Sequence, residues 1–227
     1  MADYGNLSGL ITKVVPVAGT SPYGTADLDA AINMALVWHS RFRPSTEVYL
    51  GTGNGTRAYW DLPDDCLAVR RVEYPISSTP PIFVTTWTTT VGSAGQPQVV
   101  FFDPPGSGEV FGIHYAGIWT VADLPDYQTG PLSYLAGAWI CMAQAARMAE
   151  YIGHSIAADV LDYRGLTSQW LTIKDHLLRM YAQAEGLSAS AVQSGAPPIA
   201  YGLGTIVRSE MFRRWLWTSS FEDDDDL

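Results

Sequence analysis

The period of the apolar residues changes twice along the chain, and that change restricts what it can fold into. From Thr25 to Phe42, the residues Leu28, Ile32, Ala35, Trp38 and Phe42 recur at steps of three and four, which sets them on one face of a helix. Over residues 45–121 this spacing gives way to short β-branched and aromatic runs separated by turns: STEVYL, RAYWDLP, CLAVRRVEYP, PIFVTTWTTT, PQVVFFDPP and GEVFGIHYAGIWTV. Helical spacing returns over residues 131–152, with Leu132, Leu135, Ala136, Trp139, Ala143 and Ala146 on one side. It continues to about Glu185 through Leu166, Trp170, Ile173, Leu177 and Tyr181. Helices, then strands, then helices again predict an α+β fold.

Local signals refine the pattern. Thr25 reads as an N-cap with Asp27 in the first turn, and Pro44 stops that helix; residues 7–15 predict a shorter helix before it. The Asn54-Gly55 pair in GTGNGT predicts a hairpin between its flanking strands, within one small antiparallel sheet of five or six strands. Val69, Val72 and Tyr74 are expected to point into that sheet's core. Gly186 reads as a helix C-cap, after which SASAVQSGAPPIAYGLGT, small and rich in Pro and Gly, predicts an extended arm. The divisions are residues 1–44 for the first helices, 45–123 for the β region, 124–186 for the later helices and 187–227 for the arm and its acidic tail.

The 227 residues are 47% hydrophobic and 16% charged, so there is material for a core but little charge to solvate a surface. A formal net charge of −10 argues against a nucleic-acid ligand, since phosphate binding needs clustered Lys and Arg. Cys66 and Cys141 have no second Cys or His at zinc spacing and read as buried free thiols. His39, His114, His154 and His176 are scattered, with His39 and His176 expected at solvated or core-edge positions. GTGNGT lacks the Lys-Ser/Thr of a phosphate loop, and no G-x-S-x-G elbow occurs. The expectation is no catalytic residue, no metal, no cofactor and no enzyme activity. MADYGNLSGLITKVV has no signal-peptide pattern, no window reaches a membrane span, and Asn6 and Asn54 are read as chance glycosylation matches.

The last residues, MFRRWLWTSSFEDDDDL, combine two compositions. Phe212, Trp215, Trp217 and Phe221 lie among Arg208, Arg213 and Arg214, and are followed by Glu222, Asp223, Asp224, Asp225 and Asp226. Five successive acids repel one another and favour a solvated end, and they lack the glycine and spacing of a calcium loop.

The order of three stretches resembles the head-tail connector, or adaptor, proteins of tailed bacteriophages. They are the helix DLDAAINMALVWHSRFRP (27–44), the strand DLPDDCLAVRRVEYP (61–75) and the helix LPDYQTGPLSYLAGAWICMA (124–143), with Trp170 central in a last helix. The likeness covers residues 7–185 and rests on order and spacing, since each piece is short. Trp38-His39 and Cys66 depart from the family's pattern.

The resemblance implies a helical bundle with an inserted antiparallel β region and an extended C-terminal arm. It implies a ring, typically twelvefold, below the portal protein in the virion neck, assembled in the host cytoplasm. DNA would pass through its channel without specific binding. Tail or stopper/terminator proteins would be further partners, and no membrane is involved. On this reading Met211, Phe212, Arg213, Arg214, Trp215, Leu216, Trp217 and Phe221 dock on the portal, the acids 222–226 pair with basic residues or stay solvated, and Trp87 contacts the tail or a neighbouring subunit. The alternatives are a tail-completion or stopper protein, or a carbohydrate-binding module suggested by eight tryptophans and twelve tyrosines.

Overall fold

The structure is a computed structural model that describes residues 4–15, 23–76, 78–93, 95–154 and 163–194. It is α+β and divides into two compact units. Residues 4–15, 23–44, 119–154 and 163–194 make a helical unit, and the described residues of 45–118 make a β unit.

The helical unit contains α1 (Tyr4–Val14), α2 (Thr25–Phe42), a 3-10 turn (Asp126–Gln128), α3 (Thr129–His154), α4 (Tyr163–Glu185) and α5 (Ala189–Ser194). α2 has the expected span but a different cap. Gly24 occupies the N-cap, with its N–H donating to Asp27 Oδ2 at 3.0 Å, and Thr25 is the first helical residue. Asp27 also takes both guanidinium nitrogens of Arg147 at 2.7 and 3.3 Å, which fastens the start of α2 to α3. The Gly24 N–H and Arg147 together hold the Asp27 carboxyl below its ordinary value, against a smaller opposing effect of burial.

α3 is the central helix, packed on α1, α2 and α4. Leu132, Leu135, Ala136, Ala138, Ile140 and Cys141 are all buried, so its first half is covered on nearly every side. The expected stripe fails further along: Ala143 and Ala146 are exposed, while Gln144 and Ala145 are buried. A helix apolar on most faces does not announce which face its second half will bury. On α4 the stripe holds, ending in Leu177 and Tyr181, which are buried in the core with Ile32, Phe42 and Leu132.

α4 ends in a Schellman motif. Gly186, at φ +64°, donates its N–H to Gln183 O at 3.3 Å, and Leu187 donates to Ala182 O at 2.8 Å while its side chain packs on the core. The arm then does not begin at residue 187 as expected. Ser188 Oγ accepts from the Ala191 N–H at 3.2 Å, α5 follows, and Val192 is fully buried. Alanine and serine carry a short helix when a cap starts it and one apolar side chain anchors it.

The β unit corrects two expectations. Its strands are β1 (Ser45–Thr52), β2 (Tyr59–Asp61), β3 (Cys66–Glu73), β4 (Phe83–Val84), β5 (Trp87–Val91), β6 (Pro97–Phe101) and β7 (Val110–Gly117). They form two antiparallel sheets, β1-β7-β3-β4 and β2-β6-β5, where one sheet was expected. The Asn54-Gly55 hairpin is absent, because β1 pairs with β7 and β2 with β6. The pair does turn the chain: Gly55 sits at φ +79°, and Asn54 Oδ1 accepts from the N–H groups of Thr56 and Arg57 at 3.0 and 2.6 Å. That turn hands the chain from one sheet to the other, held by Gly55 N–H donating to Pro105 O at 3.0 Å.

Cys66, Val69 and Val72 are spaced by three yet share one core. Register shifts between Cys66 and Ala68 and between Val69 and Arg71 reset the alternation twice. Tyr74 is half-buried against the same core. Side chains from both sheets meet at Trp60, Phe101 and Phe111, whose rings stand edge to face with centroids 4.9–5.2 Å apart.

Candidate docking groove of the helical unit

The chain leaves the helical unit after Pro44 and rejoins it at Trp119, and both ends are tied down there. Ser40 Oγ donates to Leu36 O at 2.7 Å and accepts from the Trp119 N–H at 3.0 Å, while the Trp119 indole donates to Arg43 O at 2.6 Å. Arg43, the last residue capping α2, donates from Nε to Glu185 Oε2 at 3.2 Å and from Nη2 to the Glu185 carbonyl at 2.8 Å. A guanidinium on the last carbonyl of α4 is favourably placed against the helix dipole.

Beneath this clamp lies His39, which is fully buried rather than at a solvated edge. Its Nδ1 shares a 2.9 Å hydrogen bond with Tyr181 Oη, and Gln128 sits beside the ring. Burial lowers its pKa below the ordinary 6.5, with Glu185 and Gln128 pulling the other way, so the ring is neutral at pH 7. Tyr181 is pushed well above its usual range by the same burial. The Nδ1–Tyr181 bond is part of what holds α2 to α4, while His39 Nε2 and Gln128 Oε1 are buried without a hydrogen-bond partner among the described residues. His176 is exposed on α4, and His114 pairs with Glu73 at 3.0 Å in the β unit; the side chain of His154 lies outside the described residues.

A groove of about 400 Å³ opens on the helical unit. α2 contributes Trp38, α3 contributes Leu135, Ala138, Trp139 and Met142, α4 contributes Lys174, Asp175 and Leu178, and α5 contributes Val192 and Gln193. Trp38 and Trp139 meet edge to face at 5.7 Å, and Arg41 covers the Trp38 ring at 5.3 Å. Both indole Nε1 atoms are buried without an acceptor among the described residues. Lys174 and Asp175, 3.0 Å apart, supply one charge of each sign. The lining is that of a surface for an apolar segment, with no paired nucleophile and base. Among the described residues no three His, Cys, Asp or Glu are placed to hold a metal, and no helix is long and apolar enough to cross a membrane.

The residues named for docking, 211–217 and 221, and the acids 222–226 lie outside the described residues. Trp87 opens β5, half-buried against the β core, with its indole donating to Val84 O at 3.0 Å. The sequence reading missed the groove. Its available signals were the all-round apolarity of α3 and the single β-branched Val192 in a stretch of small residues.

No family model and no curated protein matches the chain. Among solved structures, a chain from the neck of an empty gene transfer agent (GTA) particle computed with C6 symmetry is 13% identical, covering 75% of this chain and 91% of that one at a TM-score of 0.32. A chain from the virion of a native gene transfer agent particle is 15% identical, covering 72% of this chain and 87% of that one at a TM-score of 0.27.

Proposed function

We propose that the chain is a structural head-tail adaptor of a tailed phage. It forms a ring below the portal, extends the DNA channel and joins head to tail, with its C-terminal segment docking on the portal. The near alternative is a stopper or tail-completion protein of the same neck. The observation that carries the adaptor reading is the order of the chain. Helices from both ends close one unit around an antiparallel β insertion, and the motifs 27–44, 61–75 and 124–143 fall in that order. A stopper built as a small β barrel would not need the long helical return after the strands.

Two features support assembly. Only 16% of residues are charged, and Leu50 and Phe102 are 60% and 67% exposed on the β unit, apolar surface that neighbouring chains would cover. The net charge of −10 suits a wall along which DNA slides, because like charge gives no tight phosphate contact. On this reading the protein acts by assembly, with no enzyme activity and no cofactor.

The test is mass by light scattering of the purified protein, alone and mixed with the portal ring of the virus that encodes it. A ring-sized complex that forms with the portal and is lost on deleting residues 208–227 is the expected result. A monomer indifferent to the portal overturns the reading. A complex that survives the deletion removes the docking role from the terminal segment.

A further inference from the structure

The groove and the terminal segment answer each other chemically, whether or not the chain meets a portal. The groove presents Trp38, Trp139 and Met142, the last 39% exposed, on the helical unit. Its α5 wall is built from the chain just before the arm: Val192 and Gln193 line it, and the described chain runs only one residue further, to Ser194. Residues 195–205, GAPPIAYGLGT, have a Pro- and Gly-rich composition, and a random chain of the sixteen residues 195–210 would span about 22 Å on average. After it come Phe212, Trp215, Trp217 and Phe221, apolar rings with no use in water. Charge follows the same pairing. Asp175 on the rim suits Arg213 and Arg214, and Lys174 suits the acids that follow Phe221.

We propose that this groove receives the aromatic segment, residues 212–221, of its own chain. The tether makes the encounter intramolecular, so weak apolar contacts suffice at the high effective concentration that a short linker imposes. The segment is thereby covered in the free protein and is released only to a surface that binds it better. The groove is then a resting place for the arm, distinct from whatever surface it meets in an assembly.

The test uses the full chain with Ser219→Cys carrying a nitroxide. Cys66 and Cys141 are 2% and 0% exposed, so the new thiol is the one that reacts. The expected result is that the indole N–H signals of Trp38 and Trp139 lose most of their intensity relative to the reduced, diamagnetic sample. Met142→Arg, a change at a partly exposed position, restores the Trp38 and Trp139 signals. A sample mixing labelled chains with unlabelled, isotope-enriched ones shows no loss. Intact Trp38 and Trp139 signals in the labelled chain overturn the proposal, as does a loss that Met142→Arg leaves unchanged. Loss in the mixed sample also overturns it, since the occupant is then a second copy's arm.

Discussion

At the scale of single residues, burial sets the chemistry, and two titrating groups turn it into pH dependence of opposite sign. His39 is held below 6.5 in the folded protein chiefly by burial. As pH falls through 6.5, the unfolded chain binds a proton that the folded one refuses, so stability of the helical unit drops on acidification and levels out below the folded value. His39→Gln should flatten that dependence, which denaturant midpoints measured on either side of pH 6.5 would show. Asp65 in the β unit goes the other way. Burial and then the neighbouring Glu47 raise its carboxyl above 3.8, while Glu47 itself accepts from Ser45 Oγ and Tyr115 Oη at 3.0 and 2.9 Å. The folded state keeps a proton that the unfolded state has lost, so stability falls as pH rises through that window. Asp65→Asn should raise the midpoint at neutral pH, and the gain should vanish below 3.8. Neither site was legible in the sequence. A histidine on a helix face reveals its burial only once the partner bearing Tyr181 is placed, and Asp65 lies near Glu47 through the β1-β7-β3 arrangement alone.

At the scale of elements, the period of the sequence identified helices and strands and failed to identify partners. α2 was legible to its ends because a stripe, an acidic first turn and Pro44 agree. The strands were legible as strands, but period two says which face a residue occupies and nothing about which strand lies beside it. Asn54-Gly55 therefore encoded a turn without a hairpin. Two sheets arise because Trp60, Phe101 and Phe111 need burial from both sides. Gly51 shows how tight that core is: it lies opposite Phe111 in the β1-β7 register, and a Cβ there would fall 2.2 Å from Phe111 Cζ. Gly51→Ala must displace the ring and should destabilise the β unit by about 1–3 kcal/mol, read from the denaturant midpoint of the Trp60 indole N–H signal. Pairing it with Phe111→Leu should recover part of the loss, the coupling expected of residues in contact. Gly186→Ala should cost the helical unit about 1 kcal/mol, because its φ of +64° suits glycine and strains an L side chain.

At the scale of the molecule, the order helix, strand, helix predicted an α+β fold and the family resemblance implied an insertion, and neither says how the helical unit tolerates one. The tolerance comes from the clamp around Ser40, Arg43 and Trp119, which ties the residue before the departing chain to the residue after its return at 2.6 and 3.0 Å. Those bonds lie wholly within the helical unit, which predicts that it closes without residues 45–118. Replacing residues 46–117 with a short Gly-Ser linker should thus leave a protein that is strongly helical by circular dichroism and melts in one cooperative step. Trp119→Ala in that shortened chain should broaden or abolish the transition, since the linker's ends lose the contact that holds them together. The complementary piece, residues 45–118, carries its own aromatic core and should fold alone with Trp60 shielded from quencher. A shortened chain that is helical but melts without cooperativity would mean that the β unit takes part in closing the helices, and the clamp would then be a consequence of the fold rather than its cause.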